Sequence, residues 1–363
     1  MNADHGTTSR LLPSLPLTMD CVIPGHSVRP FCASIGCLSR IGKDLYVAFD
    51  PIEGLALRSL NDAKSAYAFF RFEPAFFERC TAPVPVAEPG SLNNRKRSRN
   101  RTPEPSQEPA FCCRATLRAL AAVVRPRKNV VSLRIRSETA DSALYLSFEF
   151  HLQKNQDALL RVVHRVKVAD ANGVSAVAPK DECSEIVANP KVLLRLLEPL
   201  KRTAEVSLLI QSDAQMVSAA SFHHTDTVAG GGGAQQGNAT GTNNNAILQA
   251  TSASLLKTET AIQCDEFEEV FFREDRAVDE SQMPQLVNKE VTLVFPIKEA
   301  KAVLQFCSQS HLDQELRVSL SFHWGGRPII LETRADSFSV ELVLATVDHK
   351  LLKPRSDERE LAV

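Results

Sequence analysis

Two spacings of apolar residues alternate along the chain. Phe31, Ile35 and Leu38 recur at three- and four-residue intervals, the mark of a helix that buries one face. In the run from Ala143 to Phe150 apolar residues instead fall largely on every second position, as in a half-buried strand. Extended over the chain, this reading predicts helices at about 25–41, 112–125, 190–201 and 296–310. It predicts strands near 44–49, 54–60, 64–72, 129–137, 142–151 and 159–168 in the first half. In the second half it predicts strands near 205–211, 215–223, 246–257, 259–264, 315–323, 328–334 and 338–346. Asn189-Pro190 marks a helix start, because Asn can cap a helix and Pro suits its first turn.

The pattern runs twice: a short apolar strand, a helix, several strands, a second helix, more strands. The expected fold class is therefore α+β, two similar domains with two helices each packed on β-sheets. Residues 1–18 read as a flexible extension, 19–168 as the first domain and 183–348 as the second. Residues 169–182 hold Ala-Asn-Gly and a proline with weak periodicity, and read as the linker. Residues 81–109, with six prolines, and 225–245, with a Gly230–Gly233 run, cannot bury enough apolar surface to offset chain entropy. They read as disordered insertions, and 349–363 as the start of a polar tail.

Basic residues follow the helical period. Arg29 and Arg40 stand eleven apart. Arg114, Arg118 and Arg125 follow the i, i+4, i+11 spacing, and Lys191, Arg195 and Arg202 repeat it. Lys298 and Lys301 are neighbours on the fourth helix. Residues at these spacings share a helix face. Cations on regular elements without a base-reading motif suit phosphate contact, although any surface helix carries Lys and Arg.

Composition narrows this only slightly. The net charge of -1, from 42 basic and 43 acidic residues, makes no case for nucleic acid, so the placement of charge must. The 9 cysteines form no CxxC pair, and they read as free, mostly buried thiols of a reducing compartment. No apolar run approaches a membrane span, so an intracellular soluble protein is expected. HExxH, GxSxG, P-loop and GxGxxG patterns are missing, and no cofactor or metal site is expected. A two-metal nuclease built from carboxylates is the remaining catalytic reading. Arg95, Lys96, Arg97, Arg99 and Arg101 form a basic cluster that reads as a nuclear localisation signal.

The runs Leu38-Ser39-Arg40-Ile41-Gly42, Gly54-Leu55-Ala56-Leu57-Arg58 and Ser65-Ala66-Tyr67-Ala68, with Phe70, Phe72, Pro74, Phe76 and Phe77, resemble the N-terminal block of the Rad-nine family. Gly326-Arg327-Pro328 and Leu342-Val343-Leu344-Ala345-Thr346 resemble its end. This resemblance implies the DNA-clamp fold of proliferating cell nuclear antigen. It implies a ring with Rad-one-type and Hus-one-type subunits around double-stranded DNA, loaded by a checkpoint clamp loader in the nucleus. Repair and checkpoint client proteins would dock in a groove between the linker and the last strand, at Val174, Val177, Leu344, Ala345 and Val347. The basic helix faces would line the hole. Strands 159–168 and 246–257 would form the subunit edges. Both insertions are longer than the family pattern. A homotrimeric replicative clamp and an unrelated β-rich interaction module are the alternatives.

Overall fold

The structure, a computed structural model, describes residues 19–81, 111–155, 158–176, 178, 180, 183–201, 203–211, 214–222, 257–273, 290–309 and 315–348. Strand β1 (Asp20–Pro24) runs directly into helix α1 (Gly25–Ile41). Then come β2 (Asp44–Asp50), β3 (Gly54–Leu60), β4 (Ala66–Phe72) and the short β5 (Arg79–Thr81). β6 (Phe111–Thr116) runs into α2 (Leu117–Val123), followed by the long β7 (Val130–Ala140), β8 (Ala143–Asn155) and β9 (Ala158–Asp170).

The second half repeats the order. β10 (Ser184–Ala188) leads into α3 (Pro190–Leu197), then β11 (Glu205–Gln211), β12 (Met216–Phe222), β13 (Glu259–Gln263) and β14 (Glu269–Phe271). β15 (Glu290–Pro296) leads into α4 (Ile297–Cys307), then β16 (Val318–Phe322), β17 (Ile329–Arg334) and β18 (Phe338–Leu344). Each helix thus follows immediately on a strand, which fixes its direction relative to the sheet. The start of α3 is capped as expected: the Asn189 side chain accepts the Lys191 N–H at 3.0 Å.

All strand pairs among the described residues are antiparallel. Fourteen strands form one hydrogen-bonded array in the order β14-β10-β16-β17-β18-β4-β3-β2-β6-β9-β8-β7-β1-β5. A second sheet has the order β13-β12-β11-β15. The halves join at β18 and β4, from Phe338↔Phe72 to Leu344↔Ala66. At the turn between β2 and β3, Gly54 has φ 91, and a Cβ there would meet the Phe72 carbonyl oxygen at 2.1 Å. The chain can pass that point only as glycine.

The helices form a layer in which α1 packs on both α2 and α4, and α4 packs on α3. Phe31, Phe70, Phe72, Phe306 and Phe338 interlock beneath it. Phe70 meets Phe306 edge-on at 5.0 Å, and Phe31 lies 5.5 Å from Phe72. These rings come from both halves of the chain, so one apolar core spans the junction. Polar contacts close the α1–α4 seam. The Cys37 thiol reaches the Ala302 carbonyl, and Arg40 donates to the Gln305 side chain.

Two expectations are corrected here. The second helix is shorter than 112–125, because Phe111–Thr116 is strand. Phe111, Cys113 and Ala115 are buried while Arg114 and Thr116 are exposed, a period of two, and the stretch pairs with β2 from Asp44↔Thr116 to Phe49↔Phe111. Helical burial begins only with Leu117 and Leu120. Arg114 is therefore not on a helix. The cysteines are not all free: Cys21 and Cys80 form a disulfide. They stand directly opposite each other where β1 pairs with β5, a juxtaposition that a separation of 59 residues conceals.

Candidate functional site

The helix layer presents one solvent face. Arg29 and Arg40 on α1, Arg118 on α2 and Arg125 just beyond it, Lys191 and Arg195 on α3, and Lys298 on α4 are all exposed. The complementary faces are buried: Phe31, Ile35 and Leu38; Leu117 and Leu120; Leu193, Leu196 and Leu197; Val303, Leu304 and Cys307. A helix with one apolar stripe must turn its polar side outward. Because the four described helices share a layer, their cations share a surface.

Local partners grade these cations. Arg195 is ion-paired with Glu266. Lys301 is half-buried and donates to the Leu200 carbonyl at 2.9 Å, so it ties α4 to the chain just past α3. Burial pulls its pKa below the ordinary lysine value. Arg125 donates to the Ala121 carbonyl, one turn back. Arg114, on β6, faces away from the helix layer, opposite Tyr46 and within 4.0 Å of Asp44. Arg202 lies outside the described residues, as do Arg95, Lys96, Arg97, Arg99 and Arg101.

The other face of the sheet carries a second feature. Tyr67, Ile330 and Val343 form a small buried apolar cluster separate from the main core. Leu60, Phe69, Val174, Ala176 and Ala178 pack against it, so the segment after β9 lies across the sheet. Lys180 holds that segment down, with Nζ 2.8 Å from both the Glu332 and Glu341 carboxylates. Those two carboxylates are directly paired across β17 and β18, and one cation offsets their repulsion.

Of the expected groove residues, Val174 is in this cluster and Val177 lies outside the described residues. Leu344 is corrected. It is fully buried in the main core, on the face opposite the cluster. Successive strand residues point to opposite faces, so the groove takes Val343 and the core takes Leu344. Ala345 is exposed, with its N–H bound to the Ser65 carbonyl, and Val347 is half-buried with its N–H bound to the Val294 carbonyl. The reading of the residues missed Tyr67, Ile330 and Val343. Their alternation with Ala68, Ile329 and Leu344 was the available signal, but it does not say which face the linker covers.

A family profile described as Rad9 matches residues 31–347, most of the sequence. The chain belongs to the Rad9 family. Its fold is that of the sliding clamps. The structure of proliferating cell nuclear antigen from Thermococcus kodakaraensis is similar at TM-score 0.56 and 11% identity, over 90% of this chain and 99% of that one. The antigen from Entamoeba histolytica is similar at TM-score 0.55 and 10% identity, over 90% and 98%. The PCNA2–PCNA3 complex of Sulfolobus tokodaii contains a chain similar at TM-score 0.51 and 8% identity, over 90% and 98%.

In this Rad9-family chain, β9 and β13 each have an outer edge left unpaired among the described residues. β9 pairs with β8 along its length but with β6 only at Cys113↔Asp170 and Arg114↔Ala169. The rest of its outer edge is unpaired among the described residues, and Leu159, Leu160 and Val163 are 72%, 47% and 38% exposed. Among the described residues, β13 ends the four-stranded sheet and pairs only with β12. The strand expected at 246–257 lies mostly outside the described residues, and β13 at Glu259–Gln263 is the edge that is described.

β9 is held on its outward side by an ion network. Glu149, 5% exposed, receives Arg161 at 2.6 Å, with His151 at 2.8 Å and Arg136 at 3.7 Å. The Arg161 hydrogen bond holds its pKa down at about 2, against the opposing effect of burial. Arg165 pairs with Glu138 alongside. Among the described residues, no group of three or more His, Cys, Asp or Glu is placed to hold a metal, and no helix is long and apolar enough to cross a membrane.

Proposed function

We propose that this Rad9-family chain is one subunit of a heterotrimeric ring that encircles double-stranded DNA and acts in DNA-damage checkpoint signalling and repair by recruiting client proteins. The observation that carries this reading is the single helix layer with Arg29, Arg40, Arg118, Arg125, Lys191 and Lys298 all on its solvent side. Cations spread over regular elements attract phosphates about equally at every register, which is what sliding requires. The chain works without catalysis of its own, as a scaffold in the nucleus.

The edges support a ring. A strand with most of one edge unpaired, exposing Leu159, Leu160 and Val163, is a surface that another strand would cover. Edges that differ within one chain suit head-to-tail contacts, which close when the rotation fits. Rad-one-type and Hus-one-type subunits are the proposed neighbours, with a checkpoint clamp loader placing the ring on DNA. Peptides with apolar anchors are the proposed clients of the Tyr67–Ile330–Val343 cluster beneath the linker.

The test is co-expression with Rad-one-type and Hus-one-type subunits and measurement of the purified mass. A one-to-one-to-one species is expected. A homotrimer of this 39.9 kDa chain would move it to the replicative clamps, and a monomer with every candidate would withdraw the ring. In the assembled ring, Arg29→Ala with Arg118→Ala should weaken retention on closed circular DNA and lower the salt dependence by about one contact per residue removed.

A further inference from the structure

Cys183 and His323 meet where the β10–β16 ladder ends. The register runs from Ala188↔Val318 to Ser184↔Phe322, and one more step sets Cys183 opposite His323. The Cys183 sulfur lies 3.2 Å from Nε2 of His323. Ser184, Ile186 and Ala188 are buried toward the core, so Cys183 and Glu185 face the outer side of the sheet, away from the helix layer. Both Cys183 and His323 are half-buried, so solvent reaches the pair.

Residues of both charge signs lie along these strands. The β10–β14 register, Glu185↔Phe271, places Arg273 across from Cys183, and the Arg273 N–H donates to the Ser184 hydroxyl at 3.0 Å. The His323 ring packs edge-on against Trp324 at 5.4 Å, and the Arg327 guanidinium lies over Trp324 at 5.5 Å. On the acidic side stand Glu185, which accepts the Ser319 hydroxyl, and Glu332, which is held by Lys180.

A thiol in contact with an imidazole is an arrangement that favours thiolate. The other thiols outside the disulfide lack that arrangement. Burial pushes Cys32, Cys37 and Cys113 up to about 12 and Cys307 higher still. Desolvation also raises Cys112 and Cys264.

We propose that Cys183 is a peroxide-reactive thiol activated by His323, a modification site on the outer face at the point where the linker enters the second domain. The imidazole takes the thiol proton. The thiolate attacks one oxygen of hydrogen peroxide, an S–O bond forms and the O–O bond breaks. Hydroxide leaves and takes the proton back from the imidazolium as water. Sulfur is oxidised to the sulfenic acid level and peroxide is reduced. The group created lies on the same sheet face as the linker and its apolar cluster.

The experiment uses the full chain, exposed to graded hydrogen peroxide in the presence of dimedone, with labelled cysteines read by peptide mass spectrometry. Cys183 should be labelled about tenfold faster than Cys112 or Cys264, the other half-buried thiols. His323→Gln should slow Cys183 by about tenfold and move the inflection of its pH–rate profile upward, because the thiolate loses its counter-ion. Cys183→Ser should abolish the fast label and leave the slow ones. Equal labelling of Cys183 and Cys112 in the unmodified chain overturns the proposal, whether or not the variants fold. So does an unchanged Cys183 rate in a folded His323→Gln protein.

Discussion

Strands β9 and β13, each with an outer edge left unpaired among the described residues, are built differently. β9 is 13 residues long, shows Leu159, Leu160 and Val163 to solvent, and carries Arg161, Arg165 and Lys167 on its outward side. β13 is 5 residues long, begins at Glu259 and is followed by Asp265 and Glu266. β9 is steadied from the outer face by Glu149. β13 is steadied from the helix layer, where the Thr260 hydroxyl donates to the Leu196 carbonyl at 2.6 Å. An apolar, basic edge and a short, acid-flanked edge are poor partners for themselves and better partners for their opposites. The contrast fits the head-to-tail contacts of the proposed ring better than two-fold pairing.

The largest effect is expected from charging the long edge. Leu159→Asp with Val163→Asp should weaken association with the neighbouring subunit by about 30-fold or more, since buried apolar anchors carry most interface energy. Because both residues are exposed in the isolated chain, its melting temperature should hold. Intact association measured by titration calorimetry would show that β9 is not the assembling edge.

Removing the support of that edge should cost less. Glu149→Gln leaves Arg161 and His151 without their carboxylate and should destabilise the chain by about 1–2 kcal/mol in urea unfolding at neutral pH. The sign in acid follows from the depressed pKa. The carboxylate's contribution is complete above the ordinary glutamate value of 4.5 and is lost as pH falls toward about 2. The gap between wild type and variant should therefore close across that window, and a constant gap would refute the ionic origin. For the short edge, Thr260→Val should cost about 1 kcal/mol through the lost Leu196 contact, read in the same unfolding assay. Glu259→Lys should be the mildest, slowing association by about threefold at low salt with the effect vanishing at high salt.

Much of this was legible beforehand. The helix at 25–41 has the observed bounds because Phe31, Ile35 and Leu38 face one side and Gly42 follows. The strands with clear alternation fall within a few residues of their expected places, as at β8. The second helix was misread because Arg114, Arg118 and Arg125 share a helical period by coincidence, while Phe111, Cys113 and Ala115 obey a strand period. Only pairing with β2 decides between the two. The short strands β5 and β14, three residues each, carry too few positions for any period to show.

Local spacing set the duplicated architecture, the polar and apolar faces of the helices, the capped start of α3 and the family block around Tyr67–Phe77. These depend on local spacing, and local spacing is written in the chain. Tertiary structure alone decided what lies opposite what. It set Cys21 against Cys80, brought Glu149 to Arg161, laid Val174 over Val343 rather than Leu344, and put Cys183 beside His323. The disulfide and the Cys183–His323 contact join residues 59 and 140 positions apart, and a shift of one residue in register turns every side chain to the other face, so no pattern within one segment can specify such pairings.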